Sequence, residues 1–76
     1  MKEMLEALVK SLVDFPDKVE INEVQGEKFT TLELRVDPSD MGKIIGRQGR
    51  IIKAVRTLMK AYATKENKRL TVEVVE

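Results

Sequence analysis

The chain contains no cysteine, no histidine and no tryptophan. Without cysteine there is no disulfide to staple a small fold and no thiolate to hold a metal. Without histidine the commonest general base and metal ligand is missing. There is no nucleophile placed beside a base, no cluster of metal-ligating side chains and no Gly-Lys-Ser/Thr phosphate loop. The expectation is a protein that is not an enzyme, with no catalytic residue, no cofactor and no metal. No apolar run approaches the ~18 residues a membrane span requires. The opening stretch from Met1 to Val13 is interrupted by Glu3, Glu6 and Lys10, so it lacks the continuous apolar core of a signal peptide. A cytoplasmic location is expected, and a cysteine-free chain fits that reducing compartment.

What is present is 76 residues, the size of one small domain. Such a chain has marginal stability unless it packs well or oligomerises. Its net charge of +1 conceals an uneven distribution. Residues 1–40 carry five cations against ten acids, whereas residues 41–69 carry nine cations against Glu66 alone, a net of +8. A basic segment on a near-neutral chain directs its field outward and attracts polyanions. Its bland reading is a solvated helix face without a partner.

Hydrophobic periodicity supplies the elements. Met1, Met4, Leu5, Leu8, Val9, Leu12 and Val13 form one stripe of a helix over about 2–14, ended by Phe15-Pro16. Val19–Val24 and Phe29–Val36 predict two strands around the polar loop Gln25-Gly26-Glu27-Lys28. Leu32, Leu34 and Val36 alternate with Glu33 and Arg35, giving one buried and one wet face. Val24 and Phe29 fall out of phase, which predicts a twist or bulge at the hairpin end. Asp37-Pro38-Ser39-Asp40 predicts a helix start with Asp37 as N-cap and Asp40 as a second capping group. That short helix, with Met41, Ile44 and Ile45 apolar, stops at Gly46. A second helix runs from near Arg50 to about Ala63, with Ile51, Ile52, Val55, Leu58, Met59 and Tyr62 apolar and Lys53, Arg56 and Lys60 as its wet stripe. A basic loop, Thr64–Arg69, leads into a last strand over Leu70–Val75. The order α-β-β-α-α-β is an α+β class: a three-stranded mixed sheet with three helices on one face. The two helices between the second and third strands make a crossover long enough for parallel pairing.

Between the two middle helices lies Gly42-Lys43-Ile44-Ile45-Gly46-Arg47-Gln48-Gly49-Arg50-Ile51-Ile52. A Gly-x-x-Gly turn is unspecific alone. Here it joins two amphipathic helices, and the second points its N-terminus, a natural anion site, at the turn. Gly46 and Gly49 let a bulky chain approach the backbone. Arg47 and Gln48 can contact phosphate or sugar, with Arg50 and Lys43 adding screenable attraction. Gly42 is expected to permit close helix packing.

The Ile-Ile-Gly-Arg-Gln-Gly-Arg-x-Ile segment resembles the signature of a KH domain, in which such a loop clamps the backbone of about four unpaired nucleotides. The element order resembles the type II arrangement of that family, with the domain filling residues 1–76 and the loop at 46–49. Its size resembles the small stand-alone bacterial members, the KhpA family. The resemblance implies a single-stranded RNA binder, as an RNA chaperone or post-transcriptional regulator. It implies a base groove between the two helices and the last strand, here offering Ile44, Ile45, Ile52, Leu70 and Val72. It also implies a variable loop carrying Lys68 and Arg69. Dimerisation, with itself or with a second KH protein resembling Jag, follows from the same resemblance, and the second helix has apolar surface to spare. With Phe15, Phe29 and Tyr62 as the whole aromatic set, ring-stacking readout by an RNA-recognition motif is not expected. The same aliphatic residues at helical spacing also read as core. Two other readings stay open: a helix-turn-helix-like DNA binder, and a dimerising module whose nucleic-acid binding is incidental.

Overall fold

The computed structural model describes residues 2–75, with the side chain of Arg47 outside the description. Helix α1 spans Lys2–Lys10, and a single 3-10 turn follows at Pro16–Lys18. Strands β1 (Glu20–Gln25) and β2 (Thr30–Arg35) form an antiparallel hairpin. Helix α2 covers Pro38–Lys65, and β3 (Leu70–Val74) closes the chain in parallel beside β2. The sheet order is β1-β2-β3, so β2 is central.

Hydrogen-bonded helical turns follow one another without a gap through α2, but the backbone does not. Gln48 (φ 62°) and Gly49 (φ 69°) stand successively in the left-handed region. No straight right-handed helix passes through two such residues, so α2 consists of two arms, 38–47 and 50–65. The α-β-β-α-α-β order therefore holds. The break falls at Gln48–Gly49 and not at Gly46, because the left-handed conformation that turns the chain is taken there.

α1 and both arms cover one sheet face. Leu5 and Val9, Ile44, then Ile52, Val55, Met59 and Ala63 meet Leu32, Leu34, Val36, Leu70 and Val72 in a single core. Register explains the strand contribution: Ile21 pairs with Leu34, and Leu32 with Val72, on the same face. The opposite face is wet, where Asn22 Nδ2 donates to Glu33 Oε1 at 2.9 Å.

Several boundaries differ from expectation. α1 ends at Lys10, four residues early: Ser11 Oγ donates to the Leu8 carbonyl at 2.7 Å, and the N–H groups of Asp14 and Phe15 are drawn to another element. The second arm continues to Lys65 because its stop signal is Asn67, which is left-handed (φ 59°). Lys68 N–H then donates to Ala63 O (2.7 Å) and Asn67 N–H to Thr64 O (3.0 Å), the paired bonds of a Schellman ending. The hairpin has no bulge. Its ladder is regular from Glu20–Arg35 to Gln25–Thr30, and out-of-phase Val24 and Phe29 are simply exposed.

Asp40 is the largest departure. It is fully buried, and its carboxylate oxygens accept the N–H groups of Asp14 (3.0 Å) and Phe15 (3.1 Å). It does not cap its own helix; Asp37 does that, accepting from Ser39 N–H at 2.9 Å. Asp40 instead pins the connection after α1 onto the first arm. A buried carboxylate is tolerated because both oxygens are satisfied.

Candidate nucleic-acid interface

The first arm delivers its chemistry to its own C-terminal end. Positions 42, 45 and 46 share one face by helical spacing. A side chain added at Gly42 or Gly46 would meet nothing within 4 Å. Gly42 therefore does not serve close helix packing as expected; it leaves that face smooth and open. At Gly49 the positive φ makes any side chain strained. Gln48 adopts the same left-handed backbone without that excuse, and its side chain is exposed. A non-glycine residue held there costs about 1–2 kcal/mol, the kind of strain that collects at binding loops.

Ile44 and Ile45 part company. Ile44 is 1% exposed and belongs to the core, whereas Ile45 is 42% exposed. Ile52, Leu70 and Val72 are also buried, so of the five aliphatic residues expected in a base groove only Ile45 faces solvent. The groove on this side of the first arm is lined by Val36, Pro38, Met41, Ile45 and Val75, with a volume of about 270 Å³. Sequence reasoning missed four of these five, because periodicity places Val36 and Val75 within strands and Met41 on a buried stripe. The signal that could have found them is that both strands end beside the start of the first arm.

The cations are not gathered at one point. Arg50 is exposed immediately after the turn. Lys43 Nζ lies 3.0 Å from Asp14 Oδ1, so its charge is shared with the segment that Asp40 pins. The expected contact by Arg47 concerns a side chain outside the described residues. Lys68 and Arg69 are exposed at the far end of the second arm, about 24 Å from the turn by helical rise. They do not join the loop in one site.

Arg56 was expected on the wet stripe. Instead it is half-buried, and its Nε donates to the Val72 carbonyl at 3.0 Å. Arg69 O and Val75 N–H both bond to β2, so positions 70, 72 and 74 direct their backbone groups to the open edge of β3. Arg56 thus covers part of that edge, a common protection of an unpaired strand. Near the start of the first arm, the Asp37 carboxyl is held below the usual range, first by the Ser39 hydroxyl and then by the Ser39 N–H.

Two helical arms joined through Gly-x-x-Gly, packed on a three-stranded mixed sheet, define a KH-type module. The family model described as KhpA/KhpB, KH domain, matches residues 2–74, and the chain belongs to that family, which is not a family of enzymes. The RNA-binding protein KhpA of Clostridium acetobutylicum is 60% identical over 75 residues, covering 99% of this chain and all of the relative. The protein of the same name from Clostridium perfringens is 59% identical over the same shares. That from Aquifex aeolicus is 47% identical over 76 residues, all of this chain and 96% of the relative. No solved structure matches the chain. No helix among the described residues is long and apolar enough to cross a membrane.

Proposed function

We propose that this protein binds single-stranded RNA through the Gly46–Gly49 turn, without catalysis, in the cytoplasm. The observation that carries the reading is the left-handed pair Gln48–Gly49 beside the open surface over Gly46. There a sugar-phosphate chain can lie on backbone. Arg47, Gln48 and Arg50 supply polar and charged contacts, and Ile45 with Met41 and Val75 offers an apolar rest for bases. Relatives named RNA-binding proteins support the polymer class. Contacts made mainly to backbone, with an aliphatic groove and no ring, give modest affinity and loose sequence preference. That profile suits an RNA chaperone or post-transcriptional regulator.

The deciding variant is Arg47→Asp with Gln48→Asp, read by RNA titration at several salt concentrations. Binding should fall sharply, and the salt slope should drop by roughly one for each phosphate that the variant no longer neutralises. Undiminished binding would reject the clamp. A preference for duplex DNA over single-stranded RNA at equal salt would favour the helix-turn-helix-like reading instead.

The second arm also presents Ala54, Leu58 and Ala61 to solvent at i, i+4 and i+7, with Leu58 55% exposed. This stripe supports a homodimer, or pairing with a second KH protein resembling Jag. Sedimentation of the free chain tests the first; a Leu58→Lys variant should shift any dimer to monomer.

A further inference from the structure

A cavity lies far from the glycine turn, at the opposite end of the second arm. It measures about 460 Å³ and is walled by the β1–β2 hairpin tip and the loop before β3. Both walls are built. Gly26 N–H donates to Phe29 O at 2.9 Å, closing the hairpin, and a side chain at position 26 would sit only 2.9 Å from that oxygen. The opposite wall is set by the Asn67 turn and its two bonds to the second arm. Thr30 N–H joins the walls by donating to Arg69 O at 2.9 Å.

Phe29 stands in this cavity 51% exposed, away from the core. Lys28, Lys68 and Arg69 surround it, with Glu23 and Glu27 also on the wall. An exposed ring among cations that outnumber the neighbouring carboxylates is the composition of a single-strand stacking site. The cavity is also not isolated. A smaller groove holding Lys60, Thr64, Lys68 and Arg69 shares Lys68 and Arg69 with it. Positions 50, 53, 60 and 64 fall on one face of the second arm, and Arg50, Lys53 and Lys60 are exposed. A line of positive charge therefore leads from the glycine turn to the ring.

We propose that this hairpin cavity is a second contact for single-stranded RNA, with one base stacked on Phe29 and its phosphates met by Lys28, Lys68 and Arg69. The carboxylates of Glu23 and Glu27 are acceptors suited to the exocyclic amine of a cytosine. The proposal rests on the reading that the turn binds RNA. The two contacts lie about 24 Å apart. A strand of four nucleotides held at the turn ends short of the cavity, whereas ten nucleotides span roughly 30 Å even when stacked.

The test is fluorescence titration of the full chain with tetracytidylate and decacytidylate. Comparing variant with parent on the same oligomer cancels the extra binding frames of the longer strand. Phe29→Leu, which keeps an apolar side chain but removes the ring, should weaken decacytidylate about tenfold. It should leave tetracytidylate within about twofold and the thermal midpoint unchanged. Lys28→Glu, which does not touch the ring, should also weaken only the longer strand, most at low salt. Full decacytidylate affinity in folded Phe29→Leu overturns the second contact and leaves the turn standing. Equal losses on both oligomers overturn it as well. If the parent protein binds neither oligomer, the RNA reading itself falls and this inference with it.

Discussion

Residues 2–40 and residues 41–69 contribute to one core, yet they meet solvent with opposite charge. Leu5, Val9, Leu32 and Leu34 of the first region pack against Ile44, Val55 and Met59 of the second. Among the described cations of 41–69, Lys43 alone is held by a carboxylate, that of Asp14. Arg56 spends its guanidinium on a strand edge. Lys53, Lys60 and Lys68 remain exposed. Burial joins the two regions, while the geometry of the arms keeps their charges apart. A basic surface that the rest of the fold leaves uncompensated keeps its attraction for a polyanion.

The sharpest way to break this arrangement is at the joint. Asp40 belongs to the acidic region but rides on the first arm, where it ties down the backbone of Asp14 and Phe15. Asp40→Ala leaves two N–H groups without their partner and should cost about 2–4 kcal/mol in denaturant unfolding. An Asp40→Ala protein as stable as the parent would mean that the joint is not energetic. A smaller and opposite effect is expected inside the basic region. Gln48→Gly removes the left-handed strain of a side-chain-bearing residue but adds unfolded-state entropy, for a net gain of about 0.5–1 kcal/mol. RNA affinity should fall in the same variant. Loss of stability on that substitution would show that the Gln48 side chain stabilises the turn.

The smallest expected effect is a response to acid. The Asp37 carboxyl titrates below its ordinary value because the Ser39 hydroxyl and N–H bond to its ionised form. A depressed folded value means the contribution is complete above the unfolded value, near pH 4, and is lost as pH falls through the folded one. Ser39→Ala should flatten that part of the stability curve measured between about pH 5 and pH 2. An unaltered acid limb would place the acid sensitivity elsewhere.

Much of the architecture was legible along the chain because its signals are local. Alternation in Leu32–Val36 marks the buried face of β2, and Pro38 after Asp37 marks the helix start. The Gly-x-x-Gly spacing marks the turn. The misreadings have one cause. Ile44 and Ile45 are adjacent and chemically identical, and only the direction each takes from the arm separates core from groove. Asp40 has the spacing of a capping residue, but its partners lie 25 and 26 positions away. Arg56 falls in a charged stripe, and nothing in its neighbours announces the carbonyl of Val72. Lys68 and Arg69 belong to the same basic segment as Arg50, yet a helical arm separates them.

The sequence by itself determined the element order, the charge asymmetry and the place of the glycine turn. Each depends on residue type and spacing within a few positions, where backbone preference and periodicity act. Tertiary structure alone decided which aliphatic residues are open, which cation is paired, and that Phe29 stands exposed among lysines at the far end of the second arm. Those outcomes depend on which distant elements arrive at the same point, and that is fixed by packing the single core.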